Sequence, residues 1–83
     1  MRRCLVCQRA NPDRAHVKTR GSGGGDQEWN IMDLCRVHHT EQHKIGIITF
    51  AEKYKTVKGY LEKSGWEIVS INGFRRLIRK QGA

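Results

Sequence analysis

The sequence predicts an α+β fold in which two short strands lead into a helix, a second helix follows, and a β-hairpin closes the chain. Three observations carry this reading. Cys4 and Cys7 form a CxxC knuckle, matched by a CxxH at Cys35 and His38 that begins 28 residues beyond Cys7. Phe50, Tyr54, Val57 and Leu61 recur at i, i+4, i+7 and i+11, one apolar face of a helix. Two alternating runs, WEIVSI and FRRLIR, flank Asn72-Gly73, a dipeptide suited to a two-residue hairpin turn. A chain of 83 residues fits one domain over 1–83, with a core over about residues 4–50 and a helix-plus-hairpin extension over about 50–81.

Each element follows from local chemistry. Residues 1–14 read as a cysteine-bearing turn and a loop punctuated by Asn11 and Pro12. Ala15 to Thr19 suit a short strand. GSGGGD, residues 21–26, holds four glycines and is a loop, because glycine's backbone freedom disfavours regular structure. No Gly-Lys-Ser/Thr follows it, so it is not a phosphate-cradling P-loop. Trp29 to Leu34 suit a second strand, with Asp33 available as a cap for a helix from Arg36 to Lys44 that Gly46 ends. Thr49 and Glu52 have capping-box spacing for the next helix, which Gly65 stops and Gly59 is placed to kink or split. Trp66, Val69, Ile71, Phe74 and Leu77 of the hairpin are expected to be core, since so small a chain has few other apolar residues to bury.

Composition narrows the function classes. Hydrophobic residues make up 37 %, with two each of Trp, Tyr and Phe. A domain near this size buries only about 60 to 65 % of its unfolded surface. A covalent or metal staple is therefore expected. No run approaches the roughly 18 apolar residues of a membrane span, and MRRCLVCQRA lacks the apolar core of a signal peptide, which points to a cytoplasmic protein with no membrane partner. Three cysteines under reducing conditions argue against a disulfide framework and leave metal binding or buried thiols. The net charge of +8 favours a polyanionic partner.

Cys4, Cys7, Cys35 and His38 supply three thiolates and one imidazole, the donor set of a closed tetrahedral zinc site, and the two-residue spacers let each pair reach one ion from a tight turn. His39 is the rival to His38 as fourth ligand. With His38 spent on zinc, His39 and His43 remain four apart on one helix face, where HxxxH chelates a single ion well or simply faces solvent.

His16, just before the glycine-rich loop, and Asn30, nine positions before His39, complete a pattern. AHVKTRGSGGGDQEWNIMDLCRVHHTEQH resembles the HNH endonucleases, or ββα-metal nucleases, over about residues 4–50. In that family a histidine ends a strand, a loop often rich in glycine follows, and an asparagine precedes a helix carrying the last histidine. The CxxC and CxxH are similar to its zinc-stapled branch, the histidines four apart to the metal-binding helix of colicin-type nuclease domains, and LCRVHHTEQHKIGIITF to small phage and prophage HNH proteins.

The resemblance implies that His16 is the general base, that Asn30 holds the His16 loop, and that His39 and His43 bind one catalytic divalent cation (Mg²⁺, Mn²⁺, Ni²⁺ or Zn²⁺) beside the structural Zn²⁺. An imidazole titrating near pH 6.5 is largely neutral at physiological pH and suits a base. Many members place a further metal ligand immediately before the base, where this chain has Ala15. Asp13, Asp26 and Asp33 are the candidates to replace it. Arg20 in the loop and Arg75, Arg76, Arg79 and Lys80 on the hairpin are candidate contacts to DNA. The expected activity is metal-dependent cleavage or nicking of DNA. The alternatives are a zinc-stabilised nucleic-acid-binding module with a degenerate site and a zinc-supported adaptor in a phage assembly.

Overall fold

A computed structural model describes residues 2–18 and 25–80. Arg20 and residues 21–24 of the glycine-rich segment lie outside the described residues. Strand β1 (Asp13–His16) pairs antiparallel with β2 (Ile31–Leu34), with Asp13 opposite Leu34 and His16 opposite Ile31. Helix α1 (Arg36–Ile45) follows directly, then α2 (Ile47–Lys53), α3 (Lys55–Lys63), and a hairpin of β3 (Trp66–Ile71) and β4 (Phe74–Arg79). The expected α+β class and ββα core are present. Among the described residues no helix is long and apolar enough to cross a membrane.

The first strand lies earlier than the expected Ala15–Thr19. Its ladder ends at His16, and Val17 continues only through its N–H to the Asn30 carbonyl, at 2.8 Å. Trp29 and Asn30 are not strand either; with Glu28 they form a 3₁₀ turn. This turn brings Asn30 inward, where its side chain is fully buried.

Gly46 ends α1 as expected. Its φ of +85° is strained for any residue with a Cβ, and its N–H reaches the Gln42 carbonyl at 3.0 Å. The next segment breaks at Tyr54, not at Gly59, and begins at Ile47, so Thr49 and Glu52 are interior to α2 and form no capping box. Tyr54 is extended at φ −118°, ψ 109°, and its hydroxyl donates to Glu41 Oε1 at 2.7 Å. That tether across to α1 holds the corner while Phe50, Val57 and Leu61 all remain buried. Asp33 does not cap α1, whose N-cap is Cys35 without a side-chain bond.

The core joins Ala15, Val17, Met32 and Leu34 of the first hairpin to Phe50, Ala51, Val57, Leu61 and Trp66. Two buried polar tips align the layers. Tyr60 Oη donates to the Ile31 carbonyl at 2.5 Å, and Trp66 Nε1 to the Trp29 carbonyl at 2.7 Å. The Asn72-Gly73 turn has φ of +51° and +81°, both left-handed as a two-residue hairpin turn needs. The expected burial of this hairpin is corrected at its outer half: Trp66 is buried and Val69 and Leu77 partly so, but Ile71 is 47 % and Phe74 72 % exposed. Ile71 pairs with Phe74 beside the turn, on the face turned away from Trp66 and the helices.

Gly59 sits inside α3 with nothing within 4 Å of a Cβ built there. Gly59→Ala is expected to stabilise the fold by roughly 0.5 to 1 kcal/mol, read as a melting temperature a few degrees higher. Gly46→Ala should move the melt the other way.

Candidate metal centres and active site

The N-terminal knuckle is built from backbone bonds. Cys4 N–H donates to the Arg9 carbonyl and Gln8 N–H to the Cys4 carbonyl, both at 3.0 Å, while Gln8 takes a left-handed φ of +65° to close the turn. Leu5 N–H donates to the Asp33 carbonyl at 2.9 Å and fixes the knuckle against β2. Cys35 stands where β2 passes into α1, and His38 follows one helical turn later.

This arrangement gathers Cys4, Cys7, Cys35 and His38, whose ligand atoms all lie within 4.8 Å of one another. Cys7 and Cys35 sulfurs are 3.7 Å apart, and His38 Nδ1 lies 3.2 Å from Cys35 Sγ and 3.7 Å from Cys4 Sγ. Ligands of a tetrahedral zinc at ordinary bond lengths stand about 3.5 to 3.8 Å from each other, so the donor set and its spacing fit a structural ion such as zinc. His38, not His39, is the fourth member of the group.

The electrostatics agree with a cation. Burial raises the Cys4 thiol, but the backbone N–H groups of Cys35, Cys7 and Val6 outweigh it and bring its pKa down to about 6. The Arg9 N–H lowers Cys7, and burial with the neighbouring Cys4 and Cys35 sulfurs outweighs that and raises it. Three thiolates in so small a volume repel one another unless a positive ion neutralises them.

His39 and His43 lie on the other side of α1. His43 Nε2 is 3.1 Å from His39 Nε2, and His39 Nδ1 is 3.1 Å from Asp13 Oδ2 on β1. Arg36 Nε reaches the same Asp13 oxygen at 3.2 Å. Two nitrogens bound to one ion at about 2.1 Å stand roughly 3.0 to 3.4 Å apart, so the imidazole pair fits a shared cation.

His16 closes β1, and its Nε2 is 2.8 Å from Asp26 Oδ1. Asn30 binds the backbone on both sides of the glycine-rich loop. Its Oδ1 accepts from Lys18 N–H at 2.9 Å, and its Nδ2 donates to the carbonyls of Lys18 and Gly25 at 3.0 and 2.7 Å. All three of its ordinary side-chain bonds are thereby used, and the two ends of the loop are drawn together.

Asp13, Asp26 and Asp33, the acidic candidates to replace the ligand missing at Ala15, lie in different surroundings. Asp13 and Asp26 contact imidazole nitrogens, and Asp33, raised by burial, lies on β2 opposite Arg14. Sequence reasoning named all three as possible metal ligands, and Asp33 also as a helix cap. The signal for Asp13 was strand alternation, which puts it on the same face as Ala15. Arg36 carried no signal at all.

On the hairpin, Arg75 pairs with Glu52, Lys80 with Glu67 at 3.3 Å, and Arg79 donates to the Ser64 carbonyl at 3.2 Å with its guanidinium 4.0 Å over the Trp29 ring. Arg76 is exposed and pairs across the ladder with Val69 on the outer face.

The cluster should bind one zinc per chain, measured by elemental analysis after dialysis against a weak chelator. Stripping it with a strong chelator is expected to abolish the cooperative melt, and Cys7→Ala to cost more than about 4 kcal/mol, beyond most point substitutions. His43→Ala, at an exposed position, should change stability by no more than about 0.5 kcal/mol.

Comparison with curated proteins and with solved structures gave no match. A family model described as "Putative HNHc nuclease" matches residues 1–71, which takes in the cysteine knuckle, the His16–Asn30 hairpin, all three helices and β3. With that much of the chain matched, and with its ββα core in place, the protein belongs to the HNH nuclease family.

Proposed function

We propose that this protein is a metal-dependent DNA endonuclease or nicking enzyme, with His16 as general base, Asn30 as the residue that positions its loop, and His39 and His43 as ligands of one divalent cation. The observation that carries the proposal is the 3.1 Å approach of the two Nε2 atoms on α1, separate from the cysteine cluster. An ion-binding pair must converge on its ring nitrogens, and these two stand at the separation that a shared ion requires.

His16 is set for proton transfer by Asp26. A carboxylate only accepts, so the 2.8 Å contact makes Nε2 the donor and leaves the Nδ1 lone pair for the attacking water. His16 takes that proton as the water oxygen bonds to phosphorus and the bond from phosphorus to the 3′ oxygen breaks; the departing oxygen takes a proton from solvent. Asn30, buried and fully bonded, keeps the loop beside His16 from shifting. His39 and His43 would hold a divalent cation, which would supply positive charge for the phosphate and the departing oxygen. The net charge of +8 provides the long-range attraction to DNA.

Purified protein incubated with plasmid DNA should nick or linearise it with Mg²⁺, Mn²⁺ or Ni²⁺ and not in their absence. His16→Ala should slow cleavage by roughly 10² to 10⁴ while leaving zinc content and DNA affinity near wild type. His39→Ala and His43→Ala should be partly rescued by excess cation, which a lost base is not. A wild type that binds DNA but cuts none across these cations refutes the enzyme and leaves the binding-module alternative.

Affinity should also fall steeply with salt. About five phosphate contacts give a slope of log affinity against log salt on the order of −4 to −5, and Arg76→Ala should reduce it by about one unit. A flat salt dependence would remove the electrostatic account.

A further inference from the structure

We infer that Asp13 is a positioning residue for the cation pair: it fixes the tautomer of His39 so that the Nε2 lone pair faces His43. The inference rests on the reading that His39 and His43 hold the catalytic cation, and it explains how the site works with alanine at position 15.

The two nitrogens of an imidazole lie on different edges of the ring. In His39 one edge meets Asp13 Oδ2 at 3.1 Å and the other meets His43 Nε2 at 3.1 Å. A carboxylate accepts and cannot donate, so the first contact places the His39 proton on Nδ1. In the neutral ring Nε2 is then unprotonated and available to an ion. Without the carboxylate a neutral histidine can carry its proton on Nε2 and close the site. Asp13 therefore stands behind the ligand, where it holds the ring in orientation.

The arrangement follows from the first hairpin. Asp13 opens β1 opposite Leu34, and Ala15 lies two residues on, on the same face and fully buried. Ala15 packs into the core, and Asp13, two residues before it, is the residue of β1 that reaches His39. Arg36, one turn before Thr40 on the same helix, shares the Asp13 oxygen and so competes with His39 for it. Its side chain is largely exposed, so the pair it makes is a weak rival.

The test needs no DNA. Zinc-loaded full-length chain is titrated with Ni²⁺ by calorimetry, comparing wild type with Asp13→Asn, Arg36→Ala and His43→Ala. Wild type should take one Ni²⁺ beyond its zinc and His43→Ala should lose it. Asp13→Asn, with unchanged zinc content and melting, should bind roughly 10- to 100-fold more weakly. Arg36→Ala should bind equally or more tightly. Equal affinity for wild type and Asp13→Asn overturns the inference and leaves the cation pair standing; a wild type with no second cation overturns both. Should Asp13→Asn fail to fold, long-range ¹H–¹⁵N spectra of the wild type decide: His39 protonated at Nδ1 supports the inference, and His39 protonated at Nε2 overturns it.

Discussion

The azimuth of α1 is the constraint on which the rest of the molecule depends. Successive residues of a helix point about 100° apart, so His38 and its neighbour His39 cannot serve one site. Cys35 and His38 are committed to the cluster with the N-terminal knuckle, and the knuckle is itself bonded to β2 through Leu5 and Asp33. Fixing the N-cap and one position of a ten-residue helix in this way sets its rotation. His39 and His43 are then turned to Asp13 on β1, and a modest rotation of α1 would separate all three. One short helix thus carries both groups, and the cysteine cluster sets the direction of the histidine pair without touching it.

Asn30 applies a second constraint, on the loop. Its amide offers one acceptor and two donors, and the backbone of Lys18 and Gly25 uses all of them in a site with no solvent exposure. An aspartate would lack the donors and leave the carbonyls of Lys18 and Gly25 unpaired, at a cost of about 1 to 3 kcal/mol for each buried group. The clamp has a chemical consequence beyond stability. Gly25 is held, so Asp26, the next residue, is delivered to His16 at the end of β1.

The sequence made the cysteine cluster legible because ligand spacing is a local signal, and Cys4, Cys7 and Cys35 account for every cysteine. The hairpin was equally plain from Asn72-Gly73. What it concealed was any feature settled between elements. The competition between His38 and His39 is decided by helix rotation, and the break at Tyr54 by a hydroxyl bond to Glu41 in another helix, against the local signals of Gly59 and the Thr49–Glu52 box. Burial at the hairpin failed for a similar reason: which face of the ladder is covered is settled between elements, and Ile71 and Phe74 pair on the face opposite Trp66. Asp13 and Asp26 could be named as acidic candidates, yet their partners across the fold could not.

The basic tail divides into groups that differ in how readily they could turn to a phosphate. Arg75 and Lys80 are exposed and sit in surface ion pairs with Glu52 and Glu67. Such pairs contribute only about 0 to 1 kcal/mol, so exchanging a carboxylate for a DNA phosphate costs little. Arg79 is different. Its guanidinium lies over Trp29, which in turn packs on Trp66, and its Nε donates to Ser64. Withdrawing it would loosen the seam between the hairpin and the first sheet, so it acts first as a packing group whose charge adds to the field. Arg76 faces away from that seam. The hairpin therefore presents Arg76 on its outer face beside two exchangeable ion pairs, and keeps one arginine to hold itself in place.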